Sequence, residues 1–559
     1  MPAWASLLRR GRARALAGAA RKLAAAGLAA AACATGCIYT SDALLNPPPH
    51  AFYFPTGLIV SPGRTTLYVV NSDFDLQYNG GTLQALSLAQ LRPDLLALTK
   101  AFKAGESAAT ACASIGVEAN GACEATPPFV CTNDVITPGP CAPIVGATSN
   151  PLVKSFATIG AFASGAIYVA DPHGPHARVF APVRGDPSIT FFDVDDDRDP
   201  AHVVHPCGSS FCLDCGGQGA DRRCDDAHRI GQDPFENTRD LVLPTEPIGI
   251  AASDDATGLV VAHDTSATVS LSTNSWVEGQ KPTLQFTLPN LPTGPSEVAS
   301  IPMPAYAAAA QAAGVPFNYQ PGFLVTYRGS ATVDVLRYST DVGSDPPRPF
   351  LTRVAELTIG TNQDGKDSRG VAIDASARKA CEATCAPGKD QPACLLDCDE
   401  KNNLRVFIAN RTPPTLILGE IKTMFTTSDD QGVTAETGAF DEVNLFGTVP
   451  LDVGPSHVAV GQVIDKTGKL VTRVFAVCFD TRFVFMYDPD SFEVAATFHT
   501  GRGPQALAFD TSPDGDHSFL FVAHFTDSYL GVIDLDERDP TFGTMFASIG
   551  APLPPVESM

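Results

Sequence analysis

One short pattern recurs seven times along this chain. Each copy has a Pro or Gly signal, an apolar strand, a gap, a second strand of the type Leu-Tyr-Val-Val-Asn, and a third strand that often ends in Asp. The clearest copies pair 55–60 with 67–71, and 503–509 with 519–524. A strand-rich repeat of this kind predicts a radial array of small sheets, so we expect an all-β, seven-bladed β-propeller.

The seven predicted blades fill 51–550 and leave 551–559 as a C-terminal tail. Their strands are rich in Val, Phe, Tyr and Ile and are bounded by Gly, Pro, Asp and Asn, as strands are. The inner strands are predicted to begin at Pro55, Ser155, Pro247, Gly294, Arg369, Gly454 and Gly503. The second strands are predicted at 67–71, 167–171, 259–263, 323–327, 405–410, 474–479 and 519–524.

Two blades carry a familiar sequence signature. Residues 60–64 (Val-Ser-Pro-Gly-Arg) precede 67–71, and residues 512–515 (Ser-Pro-Asp-Gly) precede 532–534 (Val-Ile-Asp). This pattern resembles the YVTN-type propeller repeat, a lactonase-like family. The resemblance implies the fold and not an activity, because propellers host many unrelated functions.

The first 36 residues read as an export signal. Six basic residues precede the Ala-rich apolar stretch 23–32, which is too short to span a bilayer. The segment Ala34-Thr35-Gly36-Cys37 that follows resembles a bacterial lipobox. The resemblance implies a lipoprotein with palmitate-type acyl chains on Cys37, anchored firmly because more than one chain is attached. The alternative is a plain secretory signal peptide with Cys37 as an ordinary cysteine.

A lipoprotein of this type predicts an address in the cell envelope of a Gram-negative bacterium. Residues 37–50, with three prolines near their end, would form a short semi-rigid lipidated tether. The residues after Cys37 carry no obvious inner-membrane retention signal, so the outer membrane is favoured. The sequence leaves open whether the protein faces the periplasm or the cell surface.

The charge balance restricts the partners. Six of the 38 basic residues and none of the 61 acidic residues lie in the leader, so the mature chain has a net charge of −29. Nucleic acid is therefore an unsuitable partner, because phosphate backbones need basic patches. Membrane contact is expected through the lipid alone, together with a protein or glycan partner in the envelope and a monomeric state.

Twelve of the fifteen cysteines form three local quartets, which read as disulfides in an exported chain. The quartets are Cys112, Cys123, Cys131 and Cys141; Cys207, Cys212, Cys215 and Cys224; and Cys381, Cys385, Cys394 and Cys398. For the second quartet, zinc is an alternative to disulfides. Cys478 stands alone in a predicted strand and reads as a buried apolar residue.

The third quartet is a twin Cys-x3-Cys separated by eight residues. Cysteines four residues apart lie on one face of a helix, so two short antiparallel helices would be cross-linked as Cys381–Cys398 and Cys385–Cys394. The pattern resembles other twin Cys-x3-Cys helical hairpins.

The cysteine quartets lie within long insertions near 89–150, 196–242 and 377–403. In a propeller, loops after the first and third strands emerge on the same face. We therefore expect one decorated, disulfide-rich face and one barer face. An Ala-rich stretch at 306–313 predicts a short helix on the decorated side.

Residues at the start of each inner strand should point toward the mouth of the central channel. By position these are Thr56, Lys154, Ile248, Glu297, Arg369, His457 and Gln505. Glu297, Arg369, His457 and Gln505 are the candidate ligand-binding residues, and the first three would also suit acid–base chemistry if they converge.

No catalytic residue and no cofactor are expected, but calcium is one candidate ligand. The acidic run 193–199 offers Asp193, Asp195 and Asp197, since clustered carboxylates suit a hard cation. It lacks the Gly and the distal Glu of an EF-hand loop, and a solvated acidic turn is the alternative.

The sequence thus favours a lipid-anchored envelope propeller that acts as a binding or scaffolding module. The alternative is a propeller enzyme of the lactonase or dehydrogenase kind, with its chemistry in the central channel. A third interpretation is an adhesin that uses the disulfide-rich face.

Overall fold

The computed structural model describes residues 45–131, 139–199, 201–217, 222–237, 239–359, 365–430 and 433–553. These residues form seven four-stranded antiparallel sheets in chain order, which confirms the predicted seven-bladed β-propeller. The predicted signal peptide and Cys37 lie outside the described residues, as do residues 554–559 of the predicted tail.

Each blade is built from four consecutive strands, which follow one another from the channel outward. Blade one contains Pro55–Val60, Thr66–Asn71, Thr82–Ser87 and Val153–Thr158. Blade two contains Ile167–Ala170, His176–Val183, Ser188–Asp195 and Arg229–Ile230. Blade three contains Pro247–Ala252, Gly258–His263, Thr268–Thr273 and Thr283–Leu288. Blade four contains Pro295–Ile301, Gly322–Tyr327, Thr332–Asp341 and Arg348–Thr358.

The last three blades follow the same plan. Blade five contains Lys366–Asp374, Leu404–Thr412, Pro414–Asp430 and Val433–Pro450. Blade six contains Pro455–Ile464, Leu470–Cys478, Phe483–Asp488 and Glu493–His499. Blade seven contains Pro504–Thr511, Ser518–His524, Tyr529–Asp534 and Met545–Ile549.

Blade two begins later than predicted. The strand Val153–Thr158, which contains Ser155, pairs with the third strand of blade one and is that blade's outermost strand. The innermost strand of blade two is Ile167–Ala170, which was predicted as its second. The error has a physical cause: the repeat shows three strands per blade, and a long insertion separates the fourth strand of blade one from the rest.

Lys154 is therefore not a channel residue. It lies on the rim of the disc, where its Nζ donates to Oε1 of Gln90 at 2.6 Å and to Oδ1 of Asn150 at 2.7 Å.

Short helices occur in the insertions. Within the described ranges the α-helices are Leu88–Lys103, Ala108–Ser114, Ala305–Ala312, Ser376–Glu382 and Gln391–Lys401. Single 3₁₀ turns lie at Asp226–His228 and Pro234–Glu236, and a small hairpin pairs Gly146–Ala147 with Asn150–Pro151. The helix Ala305–Ala312 confirms the Ala-rich prediction. Among the described residues, no helix has the length and hydrophobicity that a membrane span requires.

All twelve quartet cysteines are paired, which confirms the disulfide prediction and indicates an extracytoplasmic location. The pairs are Cys112–Cys141, Cys123–Cys131, Cys207–Cys212, Cys215–Cys224, Cys381–Cys398 and Cys385–Cys394. The third quartet has the predicted connectivity. The zinc alternative for the second quartet is wrong, because its four sulfurs are bonded in two pairs. Cys478 is free and buried.

The core consists of the apolar faces that neighbouring blades press together. The contact between blade seven and blade one is enlarged by the helix Leu88–Lys103, whose Leu91, Leu95 and Phe102 are almost fully buried in the same cluster as Phe519 of blade seven. The helix begins at Ser87, whose side chain accepts a hydrogen bond from the backbone N–H of Gln90 as an N-cap. The first insertion is therefore part of the core.

The insertions also cover the rim of the disc. Ile144 runs parallel to the outer strand of blade seven: its N–H donates to the carbonyl of Ser548 at 2.8 Å, and its carbonyl accepts from Gly550 at 3.0 Å. The second insertion covers blade one in the same way. The backbone N–H of Thr158 donates to the carbonyl of Arg222 at 3.0 Å, and the carbonyl of Thr158 accepts from the N–H of Cys224 at 2.9 Å. Both insertions start on the predicted decorated face, yet they wrap onto the preceding blade and protect its exposed edge.

A buried carboxylate fastens the closure point. Asp510, on the inner strand of blade seven, lies 2.7 Å from Nη2 of Arg64 and 2.8 Å from Nε of Arg92, both of which belong to blade one and its insertion. Burial alone would raise the pKa of Asp510. Hydrogen bonds and positive charges from His517, Arg92 and Arg64 outweigh that effect and hold the pKa well below its usual range.

We expect Asp510→Asn to lower the free energy of unfolding by roughly 3 kcal/mol, because it leaves two arginines without their buried partner. A lowered pKa stabilises the fold above the unfolded value near 3.9, and this stability is lost as the pH falls below it. The variant should therefore differ most from wild type near pH 7 and least in acid. Urea unfolding followed by circular dichroism measures both effects.

Asp516→Asn is the matched control, because Asp516 is exposed on a nearby turn. Equal unfolding midpoints for the two variants at pH 7 would show that the ion pairs do not stabilise the closure.

Candidate ligand site at the channel mouth

The inner strands of six blades share a local irregularity that aims side chains into the channel. One extra residue bulges from each strand near its start, which turns the flanking side chains away from the regular alternation. The bulges lie between 55 and 57, 247 and 250, 295 and 297, 368 and 370, 455 and 457, and 504 and 506. We call the face on which these strands begin the mouth face.

Close approach of the inner strands requires glycine at two of these bulges. A Cβ on Gly249 would lie 2.6 Å from Cα of Glu297, and a Cβ on Gly370 would lie 2.8 Å from the backbone nitrogen of Val458. Gly249 of blade three thus leaves room for the backbone and the carboxylate of Glu297 in blade four, and Gly370 of blade five leaves room for the backbone at His457 in blade six.

The channel widens at the mouth face into a cavity of ≈ 570 Å³. All four predicted ligand-binding residues line it: Glu297, Arg369, His457 and Gln505. The structure thus brings the predicted residues to one cavity. Their role as a binding site is still a prediction.

No hydrogen bond joins any two of Glu297, Arg369 and His457 in the described part of the chain. Arg369 instead forms a two-pronged bond with Asp367, from Nε at 2.8 Å and Nη2 at 3.0 Å. Oε1 of Glu297 accepts only from the backbone N–H of Val298, at 3.2 Å. The convergence that acid–base chemistry needs is therefore missing in this arrangement.

Burial keeps the floor of the cavity free of net charge. It raises the pKa of Glu297 to about 8, against a smaller lowering by the Val298 N–H, and it lowers the pKa of His457 to about 4. At neutral pH the Glu297 carboxyl is therefore mainly protonated and the His457 imidazole is unprotonated, so both are uncharged. The floor can donate and accept hydrogen bonds without attracting ions.

The rim of the cavity has two chemically different halves. One half carries four arginines, the arginine arc, made of Arg184, Arg328, Arg369 and Arg411. The other half carries four phenylalanines, Phe74, Phe162, Phe479 and Phe525, with the buried Phe54 packed against Phe74 and Phe525; these five rings are the aromatic arc.

Acidic neighbours hold the arginine arc in place. Arg328 bonds through Nη1 to Asp264 at 2.5 Å and approaches Asp367 through Nε at 3.4 Å. Burial acts to raise the pKa of Asp367, but the hydrogen bonds from Arg369 and the positive charges around it prevail and lower it. This carboxylate therefore stays ionised and keeps two arginines oriented.

The remaining two arginines are held by single acids. Arg184 bonds through Nε to Glu246 at 2.5 Å, and Arg411 pairs with Asp480. In each of the four guanidinium groups, at least one terminal nitrogen has no hydrogen-bond partner among the described residues. A guanidinium that is oriented by an acid and still has free N–H donors suits the recognition of an anionic group.

The aromatic arc is a continuous chain of ring contacts. The ring centroid of Phe525 lies 5.2 Å from that of Phe54, 5.3 Å from that of Phe74 and 6.3 Å from that of Phe479, and Phe74 lies 5.8 Å from Phe162. Such spacings are typical of favourable aromatic pairs. Phe74 is nevertheless 53% exposed, so the arc presents an apolar surface to the cavity.

Backbone strain accompanies this arc. Phe54 and Phe162 have φ values of 47° and 60°, and Asp73 and Leu76, which flank Phe74, have values of 52° and 55°. The left-handed region costs a residue with a side chain about 1–3 kcal/mol. Positive φ values also occur in turns elsewhere in the described chain, for example at Arg64 and Ala256, so they are a general feature of the turns in this fold.

Neither arc was predicted as a whole, although a signal exists. Most of these residues occupy one column of the repeat, at or just after the end of the second strand: Arg184, Arg328, Arg411, Phe479 and Phe525. The predicted channel residues were confined to the start of the inner strand. In a propeller both positions meet at the mouth face, because the first strand starts and the second strand ends there.

The three aspartates proposed for calcium do not gather around a point. Asp193 pairs with Nε of Arg178 at 2.8 Å, and Asp195 lies 2.8 Å from Nδ1 of His205. Their carboxylate oxygens do not come within 4.8 Å of one another as a group of three. The calcium prediction stays a prediction.

Asp197 has a clear structural task instead. It is buried and accepts hydrogen bonds from the turn of blade one: from Oγ of Ser61 at 2.5 Å, from N of Gly63 at 2.7 Å, and from N and Oγ1 of Thr65 at 3.0 and 2.5 Å. This carboxylate joins blade two to blade one on the face opposite the mouth.

A repeated turn explains why acids follow the third strand. Arg198 folds back onto Asp196, with Nε 2.9 Å from Oδ1, and Arg538 folds back onto Asp536 in blade seven, with Nε 2.8 Å from Oδ1. Each arginine also bonds a backbone carbonyl of its own blade's first turn. The Asp-x-Arg sequence therefore fastens two loops together.

No protein-family model matches the chain, and no curated protein matches it. Among solved structures it is similar to Kuenenia stuttgartiensis hydrazine synthase, with 12% identity, 89% of this chain and 99% of that chain covered, and a TM-score of 0.42. A protein from Lactobacillus plantarum gives 13% identity, 81% and 86% coverage and a TM-score of 0.33. A structure described as a candidate 6-phosphogluconolactonase from Bacteroides fragilis has 11% identity, with 81% of this chain and 86% of that chain covered and a TM-score of 0.34. Likeness at this level carries no information on ligand or activity.

We expect Glu297→Gln to stabilise the protein at alkaline pH. Between pH 4.5 and 8 the unfolded chain ionises this carboxyl while the folded chain keeps it protonated, so the wild type loses stability as the pH rises. The gain at pH 9 should be at least about 1.4 kcal/mol, the equivalent of one pKa unit. Urea unfolding at pH 5 and pH 9 measures it. The exposed Glu442→Gln should show no such pH dependence, and an equal gain there would refute the explanation.

We expect Asp197→Asn to lower the free energy of unfolding by roughly 2 kcal/mol, because an amide cannot accept all four hydrogen bonds. The exposed Asp199→Asn serves as the control. Thermal midpoints recorded in calcium and in chelator separate this structural role from the ion. A midpoint that rises with calcium in the wild type and in Asp199→Asn, but not in Asp197→Asn, would favour the calcium site.

Proposed function

We propose that this chain is a binding module of the bacterial envelope, anchored in the outer membrane by lipid on Cys37. Its mouth takes a ligand that has both an apolar ring or chain and an anionic group. The observation that carries this proposal is the two-sided rim, with the aromatic arc facing the arginine arc across one cavity. Ligand sites are commonly apolar cavities with a few fixed polar groups.

Two further features support binding rather than catalysis. Glu297, Arg369 and His457 share a cavity without sharing a hydrogen bond, so no acid–base pair is in place. The guanidinium groups and the phenyl rings are held by other residues before any ligand arrives, which reduces the entropy that binding costs. A lactonase- or dehydrogenase-like activity has no specific geometric support.

The proposed anchoring rests on the lipobox-like segment 34–37. The six disulfides support export across the inner membrane. The natural ligand would then be part of an envelope protein, a glycan or an amphiphile, and the rim chemistry selects those with an anionic group beside an apolar one.

The proposal is tested with a matched pair of fluorescent probes. Anilinonaphthalene sulfonate has an aromatic part and an anion, whereas N-phenylnaphthylamine has the aromatic part alone. We expect saturable binding of the sulfonate, weakened about tenfold by Arg369→Gln and by Phe74→Ala, since one charge-assisted hydrogen bond or one buried ring contributes about 1.4 kcal/mol or more. Fluorescence titration measures the dissociation constants.

Arg348→Gln is the control, because Arg348 is an exposed arginine on the outer strand of blade four. The neutral probe should bind more weakly than the sulfonate and should be insensitive to Arg369→Gln. Equal loss with Arg348→Gln, or no preference for the anionic probe, would contradict the proposed ligand chemistry.

A further inference from the structure

The end of the predicted tether is bound to the disc. Nδ2 of Asn79 donates to Oδ1 of Asn46 at 3.0 Å. The buried Gln84 donates through Nε2 to the carbonyl oxygens of Pro48, Pro49 and Ala51, at 3.4, 3.3 and 3.0 Å. Residues 46–51, which belong to the predicted tether 37–50 and its junction with blade one, are therefore bonded to the disc.

This attachment lies on the mouth face. Asn79 belongs to the loop 72–81, which joins the second and third strands of blade one. Loops of this class share a face with the starts of the inner strands, where the cavity opens. Asn46, which precedes blade one and is bonded to this loop, therefore lies on the same face as the cavity.

Chain length then limits how far this face can be from a lipid. Eight residues lie between Cys37 and Asn46, and even a fully extended chain over these nine steps spans no more than about 32 Å. The disc is tethered closely at one point of its rim, in blade one. It cannot turn the face opposite the mouth to the bilayer unless blade one moves away from the bilayer.

The same loop carries exposed apolar side chains. Phe74 is 53% exposed and Leu76 is 48% exposed. The loop is nevertheless ordered by Asp73, whose Oδ1 accepts from the N–H of Tyr78 and whose carbonyl accepts from the N–H of Leu76, both at 3.1 Å. Two apolar side chains held on a fixed loop next to a lipid tether suit the interfacial region of a bilayer.

We propose that the mouth face lies against the membrane, with Phe74 and Leu76 in contact with lipid. The inference rests on the lipid anchor proposed above. Each of the four arginines on this face is paired with an acid, so the rim carries little net positive charge. Together with the exposed Asp75 in this loop and the strongly acidic chain, this favours a zwitterionic lipid surface over an anionic one. In this orientation an amphiphile in the bilayer reaches the cavity without crossing water.

The test places a tryptophan on each face of the full lipidated protein. Phe74→Trp reports on the mouth face. Val342→Trp is the control, because Val342 is 82% exposed on the turn after the third strand of blade four, on the opposite face. The proteins are reconstituted in phosphatidylcholine–phosphatidylethanolamine vesicles with brominated acyl chains, which quench only tryptophans that contact lipid. The unsubstituted protein, with Trp276, supplies the background.

We expect at least twofold more quenching for Phe74→Trp than for Val342→Trp, and no excess over background for the latter. Equal quenching, or more for Val342→Trp, would overturn the orientation. Flotation with the vesicles, compared with Cys37→Ser, tests the anchor separately. If the wild type does not float, the anchor is wrong and the orientation falls with it, while the probe titration still decides on the ligand site.

Discussion

Each blade of this ring leaves apolar sheet faces that only its neighbours can cover, so the fold depends on the contact between blade seven and blade one. In the described part of the chain no strand is exchanged between these two blades, since each four-stranded sheet takes its strands from one stretch of sequence. The closure instead uses the first insertion, which contributes a buried helix, a strand-like segment along the rim of blade seven and one of the arginines that pair with Asp510. An apparent decoration is therefore a structural part of the ring.

The closed ring also creates the candidate site. Bulges at the starts of the inner strands and short loops after the second strands meet around one opening, where short segments from distant parts of the chain contribute side chains. The two halves of the rim follow from the order of the blades: phenylalanines come from blades six, seven and one and the loop after blade one, and arginines from blades two, four and five. The acids that hold the arginines come mostly from adjacent loops.

Several features of the fold were predictable from local patterns. Apolar strands between Gly, Pro and Asp signals predicted six of the seven blade starts, because each blade forms its hydrogen bonds within one short stretch. Cysteines spaced for helical faces predicted the pairing of Cys381 with Cys398. The second blade was misplaced because its neighbour's fourth strand, Val153–Thr158, follows a long insertion and carries no pattern that distinguishes it from an inner strand.

The sequence by itself determined the number of blades, the grouping of twelve cysteines into disulfide-bonded quartets, the pairing within the third quartet and the acidic character of the chain, because these depend on residue types and on spacings within single repeats. Only the tertiary structure decided that Arg369 pairs with Asp367 rather than with Glu297, that Asp197 serves a turn of the preceding blade, and that five phenylalanines form one surface. The physical reason is that the positions of these side chains relative to other blades are set by how the sheets stack in the ring.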